Sequence, residues 1–219
     1  GPALGIEHVY LNDTLQLGLP NGIAPEVTAM KVLGVDYITT CIDNNSVLML
    51  EQELERQGIG DVTVLLPQGY ADAEFLGNNA DLLEGDVLGV FFRPFEGNRE
   101  GTGVDTLLEW IGQSGATLND QAIQGWLAAD MAVTGILAAG PQFDRAASIA
   151  ALNAITDYTA DGLLPAIDWT KQHGVYDGAT MATDGPPVEC IATVRIEGGE
   201  FVLLGDADDP FFFNDTATT

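Results

Sequence analysis

The sequence predicts an α/β fold built on parallel strands, for three reasons. Apolar runs recur about 25–29 residues apart in the first half of the chain, and each is apolar on both faces, as in a sheet covered by helices. Helical patterns fill the intervals, which is how parallel strands are connected. Polar loops follow two successive runs, at the edge where open α/β sheets bind their ligands.

Four strands are predicted in this half, and they are Ile6–Leu11, Val35–Cys41, Val62–Leu66 and Val87–Phe92. The helices predicted between them are Pro25–Leu33, Val47–Gln57 and a short one around Asp72–Leu83. Pro25 suits a first helical position, and Gly34 suits the position just after a helix end. Apolar residues share one face of the second helix, and Asn45 or Ser46 is its expected N-cap.

The second half of the chain differs in character. A glycine-rich polar segment, Gly97–Gly103, predicts a hinge or crossover. Three helices are predicted after it, namely Val104–Gln113, Asp120–Ala139 and Phe143–Ala154. Asn119 or Asp120 is expected to cap the middle helix. Beyond a turn-rich stretch, Ile191–Ile196 and Phe201–Leu204 predict a closing hairpin.

The charge of the chain excludes two classes of partner. Acidic residues number 33 and basic residues 7, so the formal net charge is -26. Nucleic acid and anionic membrane surfaces would both repel such a chain. An acidic surface of this kind favours solubility, as in an extracellular or salty setting.

The sequence contains no motif for catalysis or for metal binding. It lacks a lysine-bearing phosphate loop, a Gly-X-Ser-X-Gly elbow and any Cys-X-X-Cys or Cys/His cluster. We therefore predict no catalytic residue, no metal site and no cofactor. Cys41, at a strand end, is the one candidate nucleophile. Cys41 and Cys190 are either two thiols or one disulfide, and their spacing does not decide between these alternatives.

Two polar loops are the candidate ligand-binding site. They follow neighbouring predicted strands and offer a hydroxyl, a carboxylate, amides and an aromatic ring, which suits a small polar molecule. The candidate residues are Cys41, Asp43, Asn44, Gln68, Gly69 and Tyr70. The alternative is that these are ordinary turn residues.

The order of these segments resembles the second lobe of type I solute-binding proteins, the branched-chain amino-acid-binding class of ABC importers. The resemblance lies in VDYITTCID, LEQELERQGI, VTVLLPQGY and LEGDVLGVFFRPFE, in that order, and then in AIQGWLAADMAVTGILAAGPQFDRAASIAALNAI. It implies Rossmann-like parallel sheets in two lobes, the type I periplasmic-binding-protein fold. It also implies that the chain is truncated at its N-terminus, with most of the first lobe missing.

The same resemblance implies a division of the chain. Residues 1–96 are expected to form the second lobe without its first strand and helix, and residues 97–187 a crossover with a helical remnant of the first lobe. Residues 188–210 are expected to return to the second lobe as the closing hairpin. Residues 211–219 read as a sequencing artefact, because Asn214–Thr219 matches the translation of a common short-read adapter. A genuine polar tail is the alternative.

The function that the resemblance implies is substrate binding for an ABC importer, without catalysis. The ligand would be a small polar solute, such as a branched-chain amino acid or a related amide, held in a cleft between the lobes. The protein partner would be an ABC permease at the membrane. The location would be periplasmic or extracellular, with or without a lipid anchor. Two other functions stay open: an α/β enzyme with Cys41 as nucleophile, and the ligand-sensing domain of a regulator on the same fold.

Gln68 departs from the pattern of this class. It falls where amino-acid binders commonly place an acid for the ligand's ammonium group, and a neutral amide does not replace a charge-assisted hydrogen bond. Either Asp43 or Asp72 compensates, or the ligand is an amide or another small polar solute.

Overall fold

The computed structural model describes residues 6–60, 62–170 and 190–213, without the side chains of Cys190 and Phe213. The helices in these ranges are α1 (Ala24–Leu33), α2 (Asn44–Arg56), α3 (Ala73–Asn79), α4 (Val104–Ser114), α5 (Asp120–Ala139) and α6 (Arg145–Leu152). The strands are β1 (Tyr37–Thr39), β2 (Thr63–Leu66), β3 (Val87–Val90), β4 (Cys190–Glu197), β5 (Glu200–Leu204) and β6 (Phe212–Phe213). The predicted α/β class is confirmed.

The described strands form a sheet in the order β1-β2-β3-β4-β5, with β6 paired to β4. The first three strands are parallel: Thr39 lies opposite Leu65, and Leu65 opposite Val87. The predicted hairpin is confirmed as β4 and β5, which are neighbours joined at Gly198-Gly199. Both glycines have positive φ, 60° and 79°, as a two-residue hairpin turn requires.

The chain divides into two compact units. Unit 1 comprises residues 1–89 and 195–202, and unit 2 comprises residues 90–194 and 203–219. The chain therefore passes from one unit to the other after residues 89, 194 and 202. The assignment of residues 1–96, 97–187 and 188–210 to particular lobes stays a prediction.

The core of unit 1 lies where α2 and the parallel strands meet. Val47, Leu50 and Leu54 on one face of α2 are each at most 3% exposed, as the helical spacing predicts. Val64 and Leu66 of β2 are equally buried. Each such side chain contributes about 1.5–3 kcal/mol to folding by leaving water. This packing therefore fixes the positions of the loops that precede α2 and follow β2.

Helix ends follow local side-chain chemistry, with one correction. α1 ends at Gly34, whose φ of 69° is left-handed, and α5 begins at Asn119, whose side chain accepts the Ala122 N–H. The N-cap of α2 is Asp43, so the expectation of Asn45 or Ser46 was wrong. α2 starts earlier because the Asp43 carboxylate reaches the Ser46 N–H at 3.1 Å.

The first predicted strand is absent. Residues 6–11 are irregular, and Ile6 and Leu11 are 50% and 84% exposed. A strand needs a neighbour for its backbone hydrogen bonds, and none of the described strands pairs with this run. An apolar run by itself therefore did not suffice to predict a strand.

Hydrogen bonds fix the glycine-rich segment of unit 2 and the residues just before it. Arg93 donates from Nε to the Gly162 carbonyl at 3.0 Å, and the Asn98 N–H donates to the Ala207 carbonyl at 2.8 Å. The Arg93 guanidinium lies 5.8 Å from the ring centre of Phe211, which is buried. Phe211 thus packs within unit 2, and Phe212–Phe213 pair with β4 as β6, while residues 214–219 of the expected artefact lie outside the described residues.

α5 and α6 pack closely in unit 2. A Cβ atom on Gly135 would lie 2.9 Å from the backbone oxygen of Ser148, so only glycine permits this approach. By length and composition, α5 is also one helix that could cross a membrane. Its Asp130 accepts a hydrogen bond from the Tyr158 hydroxyl at 2.8 Å, and burial, followed by this hydrogen bond, raises the pKa of Tyr158. α5 thus contacts the rest of unit 2 at Asp130 and Gly135, while Val133 and Leu137 are exposed.

Replacing Gly135 with alanine is expected to destabilise the chain by about 1–3 kcal/mol, because the new methyl group overlaps the α6 backbone. The matched control is Gly125→Ala on the same helix, where a Cβ meets nothing within 4 Å. This control should stabilise by about 0.5–1 kcal/mol, since alanine favours the helix. Urea unfolding followed by circular dichroism measures both changes. Equal effects of the two substitutions would contradict the close packing.

Candidate functional site

The structure brings the two predicted loops to the same edge of unit 1. β1 and β2 are neighbouring parallel strands, with Tyr37 to Thr39 opposite Thr63 to Leu65. Residues 40–43 and 67–72 leave these strands at their carboxyl ends, so they emerge side by side. All six candidate residues lie on these loops or at the start of α2. Their contact with a ligand stays a prediction.

Asp43 holds this edge together. Its Oδ1 accepts the Ser46 N–H at 3.1 Å, and its Oδ2 accepts the Ser46 hydroxyl at 2.7 Å and the Gly18 N–H at 3.2 Å. The hydrogen bonds from the Ser46 side chain and backbone lower the pKa of Asp43. Asp43 therefore stays ionised, and both of its oxygens are occupied within the protein.

The contact with Gly18 identifies a segment that the sequence reasoning missed. Leu19 beside it is 3% exposed, and Ile23 is 5% exposed, so this segment is anchored in unit 1. A cavity of about 160 Å³ opens here, with polar residues along its wall: Asn12, Thr14, Gln16, Asn21 and Glu26. Gly18 and Gly22 on either side of Pro20 indicate a turn in the sequence. The prediction of a strand over residues 6–11 did not include this turn.

Asn44 carries an unsatisfied acceptor. It is the first residue of α2, and its Oδ1 atom is buried without a hydrogen-bond partner. Buried polar atoms are nearly always paired, so this oxygen is a candidate ligand contact. Cys41 nearby is exposed and carries a free thiol. The side chain of Cys190 lies outside the described residues, so the choice between two thiols and a disulfide stays a prediction.

The loop after β2 is shaped by close packing. Gly69 has φ of +115°, and a Cβ there would lie 2.8 Å from the Phe75 ring, so the position requires glycine. Tyr70 is 1% exposed, and its ring centre lies 5.2 Å from that of Phe201. Tyr70 thus anchors the loop in the core of unit 1. Gln68, in contrast, is partly exposed at the edge.

The described residues contain no group of three or more His, Cys, Asp or Glu side chains arranged to hold a metal ion. The edge presents amides, backbone groups and the Cys41 thiol for hydrogen bonding. Such groups can orient a small polar molecule. The Asp43 carboxylate organises these groups.

Two comparisons of sequence were made with known proteins. The profile of a family described as periplasmic binding protein matches residues 2–200. No curated protein matches the chain.

Solved structures show the same fold. A leucine-binding protein from Thermotoga maritima is 13% identical with a TM-score of 0.65, and the match covers 95% of this chain and 54% of that one. A branched-chain amino acid ABC transporter from Thermus thermophilus with bound valine is 16% identical with a TM-score of 0.64, over 99% and 55%. An ABC transporter solute-binding protein from R. palustris in complex with benzoate is 15% identical with a TM-score of 0.59, over 88% and 48%. This chain spans about half the length of each.

Replacing Asp43 with alanine is expected to lower the thermal midpoint and to speed amide exchange at Ser46 and Gly18, because three donors lose their acceptor. Asp43→Asn keeps one oxygen for the Ser46 N–H and should give an intermediate effect. Because the folded state lowers the pKa of Asp43, its stabilising effect is present above the ordinary carboxyl pKa and is lost in acid.

The control is Asn45→Ala, an exposed neighbour on the same helix. Melting curves at neutral and acid pH, with hydrogen exchange, make the comparison. An Asp43→Ala protein that melts like the Asn45→Ala protein would show that this carboxylate does not organise the edge.

Proposed function

The chain belongs to the periplasmic binding protein family, and on this premise we propose that it serves as part of the solute receptor of an ABC importer. It would bind a small polar solute at the carboxyl edge of unit 1, without chemical change to that solute. The observation that carries the proposal is the pair of polar loops that leave adjacent parallel strands at one edge, beside the unpaired Asn44 Oδ1. The permease and a periplasmic or extracellular location are parts of the same proposal.

The charged and neutral side chains at this edge indicate the class of ligand. Asp43 accepts three hydrogen bonds from the protein, so its carboxylate already has a structural role at this edge. Gln68 offers an amide at the neighbouring loop. A solute with amide or other uncharged polar groups therefore suits these residues better than a free amino acid recognised through its ammonium group.

The solved structures support a range of small ligands on this fold. One was determined with valine and another with benzoate, which lacks an ammonium group altogether. The absence of an acid at position 68 is therefore compatible with solute binding. It shifts the proposal toward amides and related solutes.

A thermal-shift screen against amino acids, their amides and other small polar solutes tests the proposal. A bound solute at one hundred times its dissociation constant should stabilise the chain by about 2.7 kcal/mol through mass action. Asn44→Ala should weaken the response, since it removes the unpaired acceptor, while the adjacent exposed Asn45→Ala should not. Equal responses of the two variants would exclude Asn44 as a contact. Rapid iodoacetamide labelling of Cys41 near neutral pH that a bound solute blocks would favour the enzyme alternative instead.

Gln68→Glu tests the ligand class. A carboxylate in place of the amide should tighten binding of amino acids about fivefold relative to their uncharged analogues, because a charged partner adds roughly 1 kcal/mol to a hydrogen bond. Isothermal titration of the wild type and the variant with the same pair of solutes gives the ratio. The exposed Gln52→Glu change on α2 adds the same single negative charge and is the matched control. An unchanged ratio would place Gln68 outside the ligand contacts.

A further inference from the structure

Two carboxyl groups lie inside unit 1, away from the loops of the candidate site. Asp86 directly precedes β3 and is 3% exposed, and Glu51 lies mid-helix on α2 and is 8% exposed. Glu51 shares the buried face of α2 with Leu50 and Leu54. Acidic side chains are almost never so buried unless they are paired.

Asp86 is held in place from several sides. Its Oδ1 accepts the Val64 N–H of β2 at 2.8 Å, and its backbone oxygen accepts the Ile196 N–H of β4 at 2.9 Å. Its own N–H donates to the Leu83 carbonyl at 3.1 Å. Asp86 thus lies at the junction of three strands, and turning its carboxyl toward solvent would break the hydrogen bond with the Val64 N–H.

One oxygen of each carboxyl has no hydrogen-bond donor. These atoms are Oδ2 of Asp86 and Oε1 of Glu51, both buried. The two side chains lie within hydrogen-bonding reach of each other. Two ionised carboxylates offer only acceptors, so they would repel each other and leave both oxygens unsatisfied. One proton between them satisfies both oxygens at once.

We propose that Glu51 and Asp86 share one proton, and that the resulting carboxyl–carboxylate hydrogen bond fastens α2 to the sheet of unit 1. The pair makes the stability of this unit depend on pH. It acts from within the core and involves none of the candidate ligand contacts.

The electrostatic surroundings support this arrangement. Burial, which is the largest cause, and the charge and hydrogen bond of Asp86 together raise the pKa of Glu51 to about 8. Burial also raises the pKa of Asp86, against the lowering effects of the Val64 N–H and of Glu51. Both shifts favour retention of a proton by the pair.

No described basic group compensates the pair. On α2, Arg56 pairs with Glu53, and on β4, Arg195 pairs with Glu197. The side chains of β2 and β3 are not titratable, and Glu84 before Asp86 accepts the Gly198 N–H. Glu55 on α2 and Lys31 on α1 are exposed. A proton is thus the one positive charge available to the two carboxyls.

The direction of the pH effect follows from linkage. The folded pKa of Glu51, about 8, lies above its ordinary value of 4.5, so the folded chain keeps a proton that the unfolded chain releases. The stabilisation of the folded chain by this proton is complete below pH 4.5, the ordinary pKa of glutamate, and is lost as the pH rises toward 8. Across that window the folding equilibrium constant should fall about tenfold for each pH unit.

Infrared spectroscopy of the wild-type chain tests the shared proton directly. At pH 7 ordinary carboxyls are ionised, so a protonated carboxyl band that disappears as the pH rises through about 8 is the expected signature. Glu51→Gln should remove this band. A spectrum without a protonated carboxyl at neutral pH overturns the proposal, whether or not the variant folds.

Chemical unfolding at a series of pH values gives the second test. Glu51→Gln keeps the shape of the side chain and carries a permanent donor for Asp86, so its stability should lose the tenfold-per-unit dependence that the wild type shows. The matched control is Glu55→Gln, an exposed acid one turn further along α2, which should follow the wild type. Parallel pH profiles for the wild type and Glu51→Gln overturn the proposal.

Discussion

The parallel pairing of β1 with β2 is the constraint on which the rest of unit 1 depends. Because both strands run the same way, the chain must return through α2 between them, and the loops at both carboxyl ends must emerge at one edge. α2 covers the strands with Val47, Leu50 and Leu54, and that burial holds the edge in position. The candidate site is therefore a consequence of strand direction and helix packing together.

Some polar and aromatic side chains at the carboxyl edge of the unit 1 strands have a structural role. Asp43 caps α2 and also accepts the Gly18 N–H. Its carboxylate therefore joins the loop after β1 to α2 and to the segment around Gly18. Tyr70 likewise packs against Phe201 in the core of unit 1. The neighbouring candidate side chains Asn44 and Gln68 are both neutral. A neutral amide at position 68 is the physical reason for proposing a ligand that is not recognised by its ammonium charge.

Glycine has two different uses in the structure. Gly69 adopts a backbone conformation that other residues avoid, and this turns the loop after β2 over the Phe75 ring. Gly135 has no such conformation, and its role is to let α5 approach the backbone of α6. The first use shapes the candidate site, and the second permits the helix packing of unit 2.

The sequence by itself determined most of the elements, because their signals are local. Pro25 and Gly34 marked α1, Asn119 marked the start of α5, and apolar spacing marked the buried face of α2. It also identified the two loops, since a strand followed by a helix predicts where each strand ends. Within those loops it did not distinguish a capping carboxylate, Asp43, from a free one.

Tertiary structure decided whatever depends on residues distant in the chain. Residues 6–11 form no strand because they lack a described pairing partner, and Tyr70 is buried because Phe201 lies against it. The meeting of Glu51 with Asp86 is of the same kind: each reads in the sequence as an ordinary surface acid. Burial and pairing depend on which segments come together in space, and the local pattern around either residue does not contain that information.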